Sequence, residues 1–244
     1  MDIRIESLQF RWAHSGFEFS LPSLHIESGA SVAIVGPSGS GKTTFLKLLA
    51  GIEEAISGSI HFGPVNLTDQ NGNQRRAIRQ RSIGYVFQDF KLIEYLNVEE
   101  NILTPWRLSE CNDHTKSKMD VRVSELVDAL RLTAMQRRPI HQLSQGERQR
   151  TAIARALLLK PGLVLADEPT GNVDDRIAAR LMHLFEELNK LGTTVIIATH
   201  NEAIVQEFGR PVLKIDGGRL RIIPQGVPLD RPSPSGLFDV EEDF

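Results

Sequence analysis

The chain of 244 residues has very little cysteine: Cys111 is its only thiol, so no disulfide can form within it. A reducing compartment is the default environment for such a chain. Long apolar runs are missing as well, since no window approaches the roughly eighteen apolar residues that a membrane-spanning helix needs. Residues 1–6 carry no apolar signal region. We therefore expect a cytosolic protein that reaches a membrane only through a partner.

The net charge of the chain is also small. The formal charge is -3, whereas a nucleic-acid binder that works through a basic face is usually strongly positive. One basic run leaves a nucleic-acid contact open, namely Arg75, Arg76, Arg79 and Arg81. At this net charge a solvated helix face is the favoured interpretation of that run. We expect no nucleic-acid partner.

A glycine-rich segment at residues 36–44 matches the phosphate-binding pattern G-x-x-x-x-G-K-[ST]. An apolar strand pattern at 31–35 precedes it, and an apolar helix face that begins at Phe45 follows it. Glycines let successive backbone N–H groups turn inward around phosphate oxygens, and the positive end of the helix adds to that field. The residues expected to contact a nucleotide are Gly36, Pro37, Ser38, Gly39, Ser40, Gly41, Lys42, Thr43 and Thr44.

Two side chains of this P-loop add chemistry that the backbone lacks. Lys42 is expected to reach the β- and γ-phosphates, and the Thr43 hydroxyl is expected to bind Mg²⁺. The segment therefore predicts binding of a nucleoside triphosphate together with magnesium. A chance glycine turn is the alternative, and the strand and helix on either side speak against it.

Two acids, Asp167 and Glu168, directly follow the apolar strand pattern at 163–166. An acid at the end of a buried strand beside the P-loop strand would face Mg²⁺ through its water shell, which is the role expected of Asp167. Glu168 is predicted to be the general base for the water that attacks the γ-phosphate. Two solvated acids are the alternative, but the turn residues at 169–171 stop the chain sharply and suggest a fixed geometry.

Strand and helix patterns alternate along the chain and predict an α/β fold with a mostly parallel sheet, whose ligand lies at the carboxyl ends of the strands. Residues 1–222 are predicted to form one domain. Its core comprises 1–88 and 160–222, and an inserted helical lobe covers about 89–159. Within this lobe, one amphipathic helix face is predicted to contain Val121, Leu126, Val127 and Leu130.

The last segment, residues 223–244, differs in composition from the rest of the chain. It is rich in proline and, toward its end, in acidic residues. Such a composition is typical of a flexible linker. A solvated terminus is the plainer interpretation. A short partner-docking peptide that contains Phe238 and Phe244 is the alternative.

A further motif, Leu-Ser-Gln-Gly-Glu at 143–147, leads into a helix and resembles the signature LSGGQ of ABC transporter nucleotide-binding subunits. The resemblance covers residues 10 to about 220. The motif keeps Ser144 and Gly146, the pair that would touch phosphate, and departs from LSGGQ at its third and fifth positions. The resemblance implies an ATP-hydrolysing protein with a P-loop NTPase (RecA-like) core, an antiparallel β subdomain and an inserted helical subdomain.

Four further residues receive roles from this resemblance. Gln88 is similar to the Q-loop glutamine, whose side-chain carbonyl joins the oxygen ligands of the metal. Asp174 is similar to the D-loop aspartate at the seam between two subunits, and His200 to the switch histidine that touches the γ-phosphate. Trp12 lies where the family keeps an aromatic ring that stacks on adenine, with a core tryptophan as the alternative. The implied catalytic residues are Glu168, His200 and Lys42.

The resemblance also implies partners. Two head-to-tail chains, either copies or relatives, would hold two ATP molecules between them, and Ser144 and Gly146 would reach the ATP of the opposite chain. The partner in the membrane would be a transmembrane permease on whose inner face the chain sits.

The motifs look most like those of lipoprotein-release, macrolide-export and cell-division ATPases. The apolar stretch at 90–96 would receive the permease's coupling helix, with packing in the core as the alternative. A soluble ABC-type ATPase without a membrane partner is a rival function. A nucleotide binder that does not hydrolyse is another, and Glu168 and His200 speak against it.

Overall fold

Strands and helices alternate in the part of the chain that the computed structural model describes, which comprises residues 1–12, 16–109, 115–171, 173–201, 205 and 211–223. The strands are β1 (Ile3–Arg11), β2 (Glu18–Ile26), β3 (Ser31–Val35), β4 (Ser57–Phe62), β5 (Val65–Asn66), β6 (Ile83–Val86), β7 (Leu163–Asp167), β8 (Thr194–Thr199), β9 (Val212–Asp216) and β10 (Arg219–Ile223). The α-helices are α1 (Lys42–Leu49), α2 (Gly72–Ser82), α3 (Val98–Leu108), α4 (Lys116–Ala129), α5 (Gln145–Leu157) and α6 (Asp175–Lys190).

One continuous sheet connects these strands in the order β5-β4-β1-β2-β10-β9-β3-β8-β7-β6. From β9 to β6 the neighbouring strands run parallel, whereas β1, β2, β4 and β5 pair antiparallel. The β9–β10 hairpin joins the two regions through the pairing of Arg219 with Ser20. The predicted α/β class, with a parallel core and an antiparallel β region, is confirmed.

The parallel strands are short apolar runs that are buried on both faces. Strand β8, for example, is buried at every position from Thr194 to Thr199. Helices cover both faces of such a sheet, so its strands need no polar side. One apolar core lies between the sheet, α1 and the antiparallel strands, where the rings of Phe19 and Phe45 stack 5.4 Å apart. A second core lies between the sheet and α3 to α6.

The register of the parallel strands brings several loops to one edge of the sheet. The last residue of β3, Val35, pairs with Thr199, the last residue of β8. The last residue of β7, Asp167, pairs with Ala198. Because these three strands run in the same direction, the segments that follow them leave the sheet side by side. This edge therefore collects the P-loop, the acidic pair and the segment that begins at His200.

The predicted buried face of α4 is wrong at one position. Val121 is 58% exposed, and the face is instead formed by Met119, Val123, Leu126 and Val127. Met119, Leu126 and Val127 each lie three or four positions from Val123, as one side of a helix requires. Val121 falls between two of these turns and points to solvent.

The end of the domain differs by one residue from the prediction. Ile223, assigned to the tail, is the last residue of β10 and is buried. The rest of the predicted tail, 224–244, lies outside the described residues, as do Cys111 and Asn172. None of the described helices combines the length and the apolar composition that crossing a bilayer requires.

Candidate functional site

The P-loop curls around the ammonium group of Lys42. Its Nζ donates to the carbonyl oxygens of Gly36, at 2.7 Å, and Pro37, at 3.1 Å, and the residue is 7% exposed. The loop needs glycine at its start, because a Cβ on Gly36 would collide with the carbonyl oxygen of Ile215. The loop thus holds a buried cation at the N-terminus of α1, where phosphate oxygens could replace the two carbonyl groups as its partners.

Two residues that the sequence analysis did not single out, Phe17 and Gly218, pack against the P-loop. A Cβ on Gly41, whose φ is +112°, would lie 2.6 Å from Cζ of Phe17. The N–H of Gly218, in the β9–β10 turn, donates to the carbonyl oxygen of Ser40 at 3.3 Å. The glycine pair at 217–218 is a turn pattern that could have indicated this approach. No local sequence pattern marks Phe17 as a residue that contacts the P-loop.

Trp12 lies beside the first turn of α1. Its Nε1 donates to Oγ1 of Thr44 at 3.3 Å, and its ring stands edge-on to that of Phe10, with centroids 5.0 Å apart. The side chain is half-buried against the core formed by the antiparallel strands. A partly exposed aromatic ring therefore adjoins the P-loop, and stacking on adenine stays a prediction.

Asp167 is a buried carboxylate with an unfilled acceptor. The residue is 3% exposed and accepts a hydrogen bond from Thr43, while its Oδ1 has no hydrogen-bond partner among the described residues. Burial, reinforced by the charge of Glu168, raises the pKa of Asp167 against the opposing effects of Thr43 and Lys42. A buried carboxylate oxygen of this kind suits a divalent cation or a water molecule bound to one.

A magnesium ion fits these residues only together with a phosphate ligand. Within the described residues, no group of three or more His, Cys, Asp or Glu side chains could hold a metal ion. A cation beside Asp167 would need further oxygens from the Thr43 hydroxyl and from the phosphates of a nucleotide. Hydroxyl, carboxylate and phosphate oxygens are the ligands that Mg²⁺ prefers.

Glu168 is held firmly by residues at the end of β8. Its backbone is left-handed, with φ +48°, and its N–H donates to the carbonyl oxygen of Ala198 at 2.8 Å. Thr199 Oγ1 donates to its carboxylate at 3.3 Å, and Nδ1 of His200 lies 2.9 Å from the other carboxylate oxygen. Left-handed backbone at a non-glycine residue costs about 1–3 kcal/mol. The structure thus brings two of the predicted catalytic residues, Glu168 and His200, into direct contact.

Gln149 is a third residue that the sequence analysis missed. It lies on the buried side of α5 and is 1% exposed, and its Nε2 donates to the carbonyl oxygen of Pro169. This bond ties the helix of the signature motif to the loop that follows Glu168. A glutamine on the apolar face of an amphipathic helix was the only indication that the sequence offered.

Ser144 begins α5 through a reciprocal cap. Its Oγ accepts the N–H of Glu147 at 3.3 Å, and Oε2 of Glu147 accepts the N–H of Ser144 at 2.8 Å. Partial burial alone would raise the pKa of Glu147, but hydrogen bonds from Ser144 and the charge of Arg150 outweigh it and hold that pKa low. The departure from the family motif at the fifth position therefore supplies the carboxylate that completes this cap.

The segment that carries Asp174, the predicted D-loop residue, lies close to the predicted signature motif of the same chain. Asp174 begins α6, and its Oδ1 accepts the N–H of Ile177 at 2.9 Å. A Cβ on Gly146 would lie 3.4 Å from Cγ1 of Val173. Ser144 and Asp174 are both exposed, whereas Lys42 and the acidic pair are buried. In the described geometry the predicted signature motif begins α5 and approaches Val173, two residues before the start of α6, in its own chain.

Gln88 is exposed two residues beyond the end of β6. The chain then turns left-handed at Phe90 and Lys91, with φ values of +62° and +47°. The carbonyl oxygens of these two residues accept hydrogen bonds from Arg155 at 2.6 and 2.5 Å. Burial lowers the pKa of Arg155 to about 10. The loop that carries Gln88 is thereby anchored to α5.

The apolar stretch at 90–96 divides between the two predicted alternatives. Leu92 is half-buried and packs against the helical core, whereas Tyr95 is 85% exposed. Asn101, which is fully buried, donates to the carbonyl oxygen of Ile93 at 3.1 Å and accepts its N–H at 2.8 Å. A buried amide thus fixes the shape of a loop that presents one aromatic side chain to solvent.

Comparisons with known proteins identify a family and several similar chains. A family model described as ABC transporter matches residues 20–171. The chain is 40% identical over 200 residues to the lipoprotein-releasing system ATP-binding protein LolD 1 of Rhodopirellula baltica, covering 82% of this chain and 86% of that protein. It is also 40% identical over 199 residues to the cell division ATP-binding protein FtsE of Haemophilus influenzae, with coverages of 82% and 89%.

Two solved structures of similar chains are described as dimeric. One is described as the dimeric structure of a post-hydrolysis state of the ATP-binding cassette MJ0796 bound to ADP and Pi. It matches with a TM-score of 0.82 and 28% identity over 91% of this chain and 97% of that one. A second, described as the dimeric structure of MJ0796, a bacterial ABC transporter cassette, matches with the same TM-score and 30% identity.

The burial of Asp167 predicts that Asp167→Asn stabilises the chain in the absence of nucleotide and divalent cations. Because the folded state raises the pKa of this carboxyl, the folded chain binds more protons than the unfolded chain, and stability is lost as the pH rises through the raised pKa. A neutral side chain escapes that loss. We expect the free energy of unfolding at pH 7 to rise by about 1 kcal/mol.

Urea unfolding at several pH values measures this effect. The gain should shrink below the ordinary pKa of 3.8, where the carboxyl is protonated in both states. Asp120→Asn, which alters an exposed carboxylate on α4, is the matched control and should change little. An Asp167→Asn chain that is less stable at pH 7 than the unaltered chain would contradict the interpretation.

Proposed function

The chain belongs to the ABC transporter ATP-binding family, and from this premise we propose that two copies hydrolyse ATP at shared sites and thereby move a partner protein in the membrane. Family membership makes the chain an ATPase of the lipoprotein-release and cell-division group, as the sequence resemblance indicated. The shared sites, their residues and the membrane partner are our proposal. The observation that carries it is the convergence of Lys42, Asp167 and Glu168 at one edge of the sheet.

Lys42 and the P-loop bind the phosphates in this proposal. The ammonium group exchanges its two carbonyl partners for β- and γ-phosphate oxygens, and the N–H groups at the start of α1 face the same oxygens. Thr43, Gln88 and, through water, Asp167 hold magnesium. When bound, Mg²⁺ neutralises charge on the phosphates and orients them. The unpaired Oδ1 of Asp167 supports its part in this set.

Glu168 acts as the general base. One of its carboxylate oxygens accepts a proton from the water that attacks the γ-phosphate. Thr199 and His200 keep the carboxylate in one orientation, which spares the reaction the cost of ordering it. His200 is also exposed enough to turn its ring toward the γ-phosphate, the contact that the family resemblance implies.

A second copy of the chain completes each site. Ser144 and Gly146 of that copy approach the γ-phosphate with a hydroxyl, a backbone N–H and the positive end of α5. The exposure of Ser144 supports this arrangement, as does the dimeric state of the similar structures. Asp174 lies at the seam between the copies. Trp12 stacks on the base, which would select weakly between ATP and GTP because every base has an aromatic face.

The membrane partner is a permease. The chain lies at the inner face of the cell membrane, where the permease contacts its loop at 90–96. Tyr95 supplies an exposed aromatic side chain, and Asn101 and Arg155 hold the loop that carries it. Relatives named for lipoprotein release and for cell division support such a partner. The work done on the permease is export, lipoprotein extraction or transmission of force.

The role of the base predicts the effect of Glu168→Gln on turnover. Removing the proton acceptor should lower the rate of ATP hydrolysis about 10²- to 10⁴-fold, because that is the usual contribution of a general base. Binding of ATP should persist, since the amide keeps the shape of the side chain. Phosphate release and fluorescent-nucleotide binding measure the two properties. The matched control is Glu27→Gln, an exposed carboxylate; a Glu168→Gln chain that hydrolyses ATP at the unaltered rate refutes the assignment.

The membrane partner can be captured with the same variant. The Glu168→Gln chain, incubated with ATP, should capture a membrane protein in stoichiometric amount from detergent-solubilised membranes of the source cell. Mass spectrometry identifies the captured protein. Adding Tyr95→Asp should abolish capture. Adding Leu191→Asp instead should not, because Leu191 is 84% exposed and lies outside the loop at 90–96. Capture of only ribosomal or DNA-associated proteins, or of none, would instead support an ABC-type ATPase that works without a membrane partner.

A further inference from the structure

A cavity of about 200 Å³ lies between the end of α4 and the helices α5 and α6. Its floor is apolar and includes Leu130, Ile177 and Leu181. Three arginines also line it, Arg131, Arg150 and Arg180. None of the groups proposed to bind ATP lines this cavity. It combines an apolar pocket with concentrated positive charge, and neither the proposed ATP site nor the permease contact uses it.

The positive charge around the cavity is poorly neutralised. The charge of Arg131, followed by desolvation and the charge of Arg176, lowers the pKa of Arg180. Within the described residues, none of the three guanidinium groups that line the cavity forms an ion pair with a carboxylate, and Nε of Arg150 is buried without a hydrogen-bond partner.

Two acids act on these arginines from neighbouring elements, but each is already engaged. Asp174, which partly offsets the repulsion at Arg180, caps the start of α6. Glu147, which interacts with the charge of Arg150, caps the start of α5. The cavity is therefore a place where an additional anion gains from guanidinium groups that otherwise repel one another.

We propose that residues 237–244 of the same chain dock in this cavity. This segment reads Leu-Phe-Asp-Val-Glu-Glu-Asp-Phe and combines four carboxylates with two aromatic rings. An apolar cavity of about 150 Å³ is large enough for benzene, so the present cavity has room for one phenylalanine ring. Phe238 enters the apolar floor, and the acids beside it meet Arg131 and Arg180. The proposal does not depend on the membrane role of the protein.

Charge and chain length both favour this occupant. Residues 224–244 contain five carboxylates and one arginine. The side chains of the tail are therefore more negative than the whole chain, whose net charge is -3. Thirteen residues, 224–236, connect the end of β10 to the segment. Fully extended they span about 45 Å. That is close to the diameter of a domain of this size, so the connecting residues can extend over much of its surface.

Docking in this cavity would place the tail against the two helices whose first residues are proposed to lie between the two copies of the chain. α5 begins at Ser144, in the signature motif, and α6 begins at Asp174, in the D-loop. An element clamped between them limits how far these helix starts can separate. The tail would in this way stabilise one relative position of the two motifs.

Photo-cross-linking of the full-length chain tests the proposal. Phe238→benzoylphenylalanine is irradiated at a concentration at which the chain is monomeric, and the cross-linked peptides are mapped by mass spectrometry. The expected partners are peptides that contain residues 130–131 and 177–184 of the same chain. Raising the salt from 50 to 500 mM should lower the yield, because salt screens contacts between exposed charges.

Charge reversal provides the matched control. Arg131→Glu combined with Arg180→Glu should lower the cross-link yield about fivefold or more, since two attractive contacts become repulsive. Arg219→Glu combined with Arg221→Glu changes two exposed arginines next to the tail and should leave the yield unchanged. All these positions are exposed, so the variants are expected to fold, which thermal unfolding checks. Cross-links to other regions, cross-links between chains, no cross-links, or equal yields in the two reversals would each overturn the proposal.

Discussion

Parallel hydrogen bonding of β3 to β8 and of β8 to β7 is the constraint on which the site depends. It sets the last residues of the three strands level to within one residue, with Val35 beside Thr199 and Ala198 beside Asp167. Groups from distant parts of the sequence then occupy one small volume without any loop having to carry them there. A shift of one residue in either pairing would turn every side chain of a strand to the opposite face.

That volume stores electrostatic and conformational strain. Asp167 is buried with an unpaired oxygen, Lys42 is buried among carbonyl groups, and Glu168 has a left-handed backbone. Each of these features costs stability in the chain alone, and each would be relieved or used when a polyanion and a cation bind. The surrounding β-sheet, with its strands buried on both faces, supplies the stability that holds these groups in place.

Local sequence patterns predicted the parts of this structure that depend on local physics. The P-loop, the buried strands and the acidic pair were recognisable because each is a run of residues with one periodicity or one turn chemistry. The contact of His200 with Glu168 and the bond from Gln149 to Pro169 join residues far apart in sequence, and only the register of the sheet brings them together. Spacing within one element contains no information of that kind.

The positions at which the sequence-based prediction and the structure differ have simple physical causes. Val121 was wrongly placed on the buried face because the exposed side of α4 also carries a valine, and apolar character alone does not separate the two sides. Glu147 stands where the similar motif has glutamine, and its carboxylate accepts the N–H of Ser144 and so completes the cap. A cavity such as that beside Arg131 depends on the packing of three helices, which periodicity does not predict.

The central claim is that the signature motif of one chain completes the ATP site of another. It is tested most directly by adding Ser144→Arg to the Glu168→Gln chain and measuring two quantities: ATP affinity at concentrations where the chain is monomeric, and ATP-dependent dimerisation by analytical ultracentrifugation. The account predicts monomer affinity within about twofold of that of the chain without Ser144→Arg, a change of less than roughly 0.5 kcal/mol, together with loss of the dimer. A dimer that persists, or a monomer that no longer binds ATP, would contradict it.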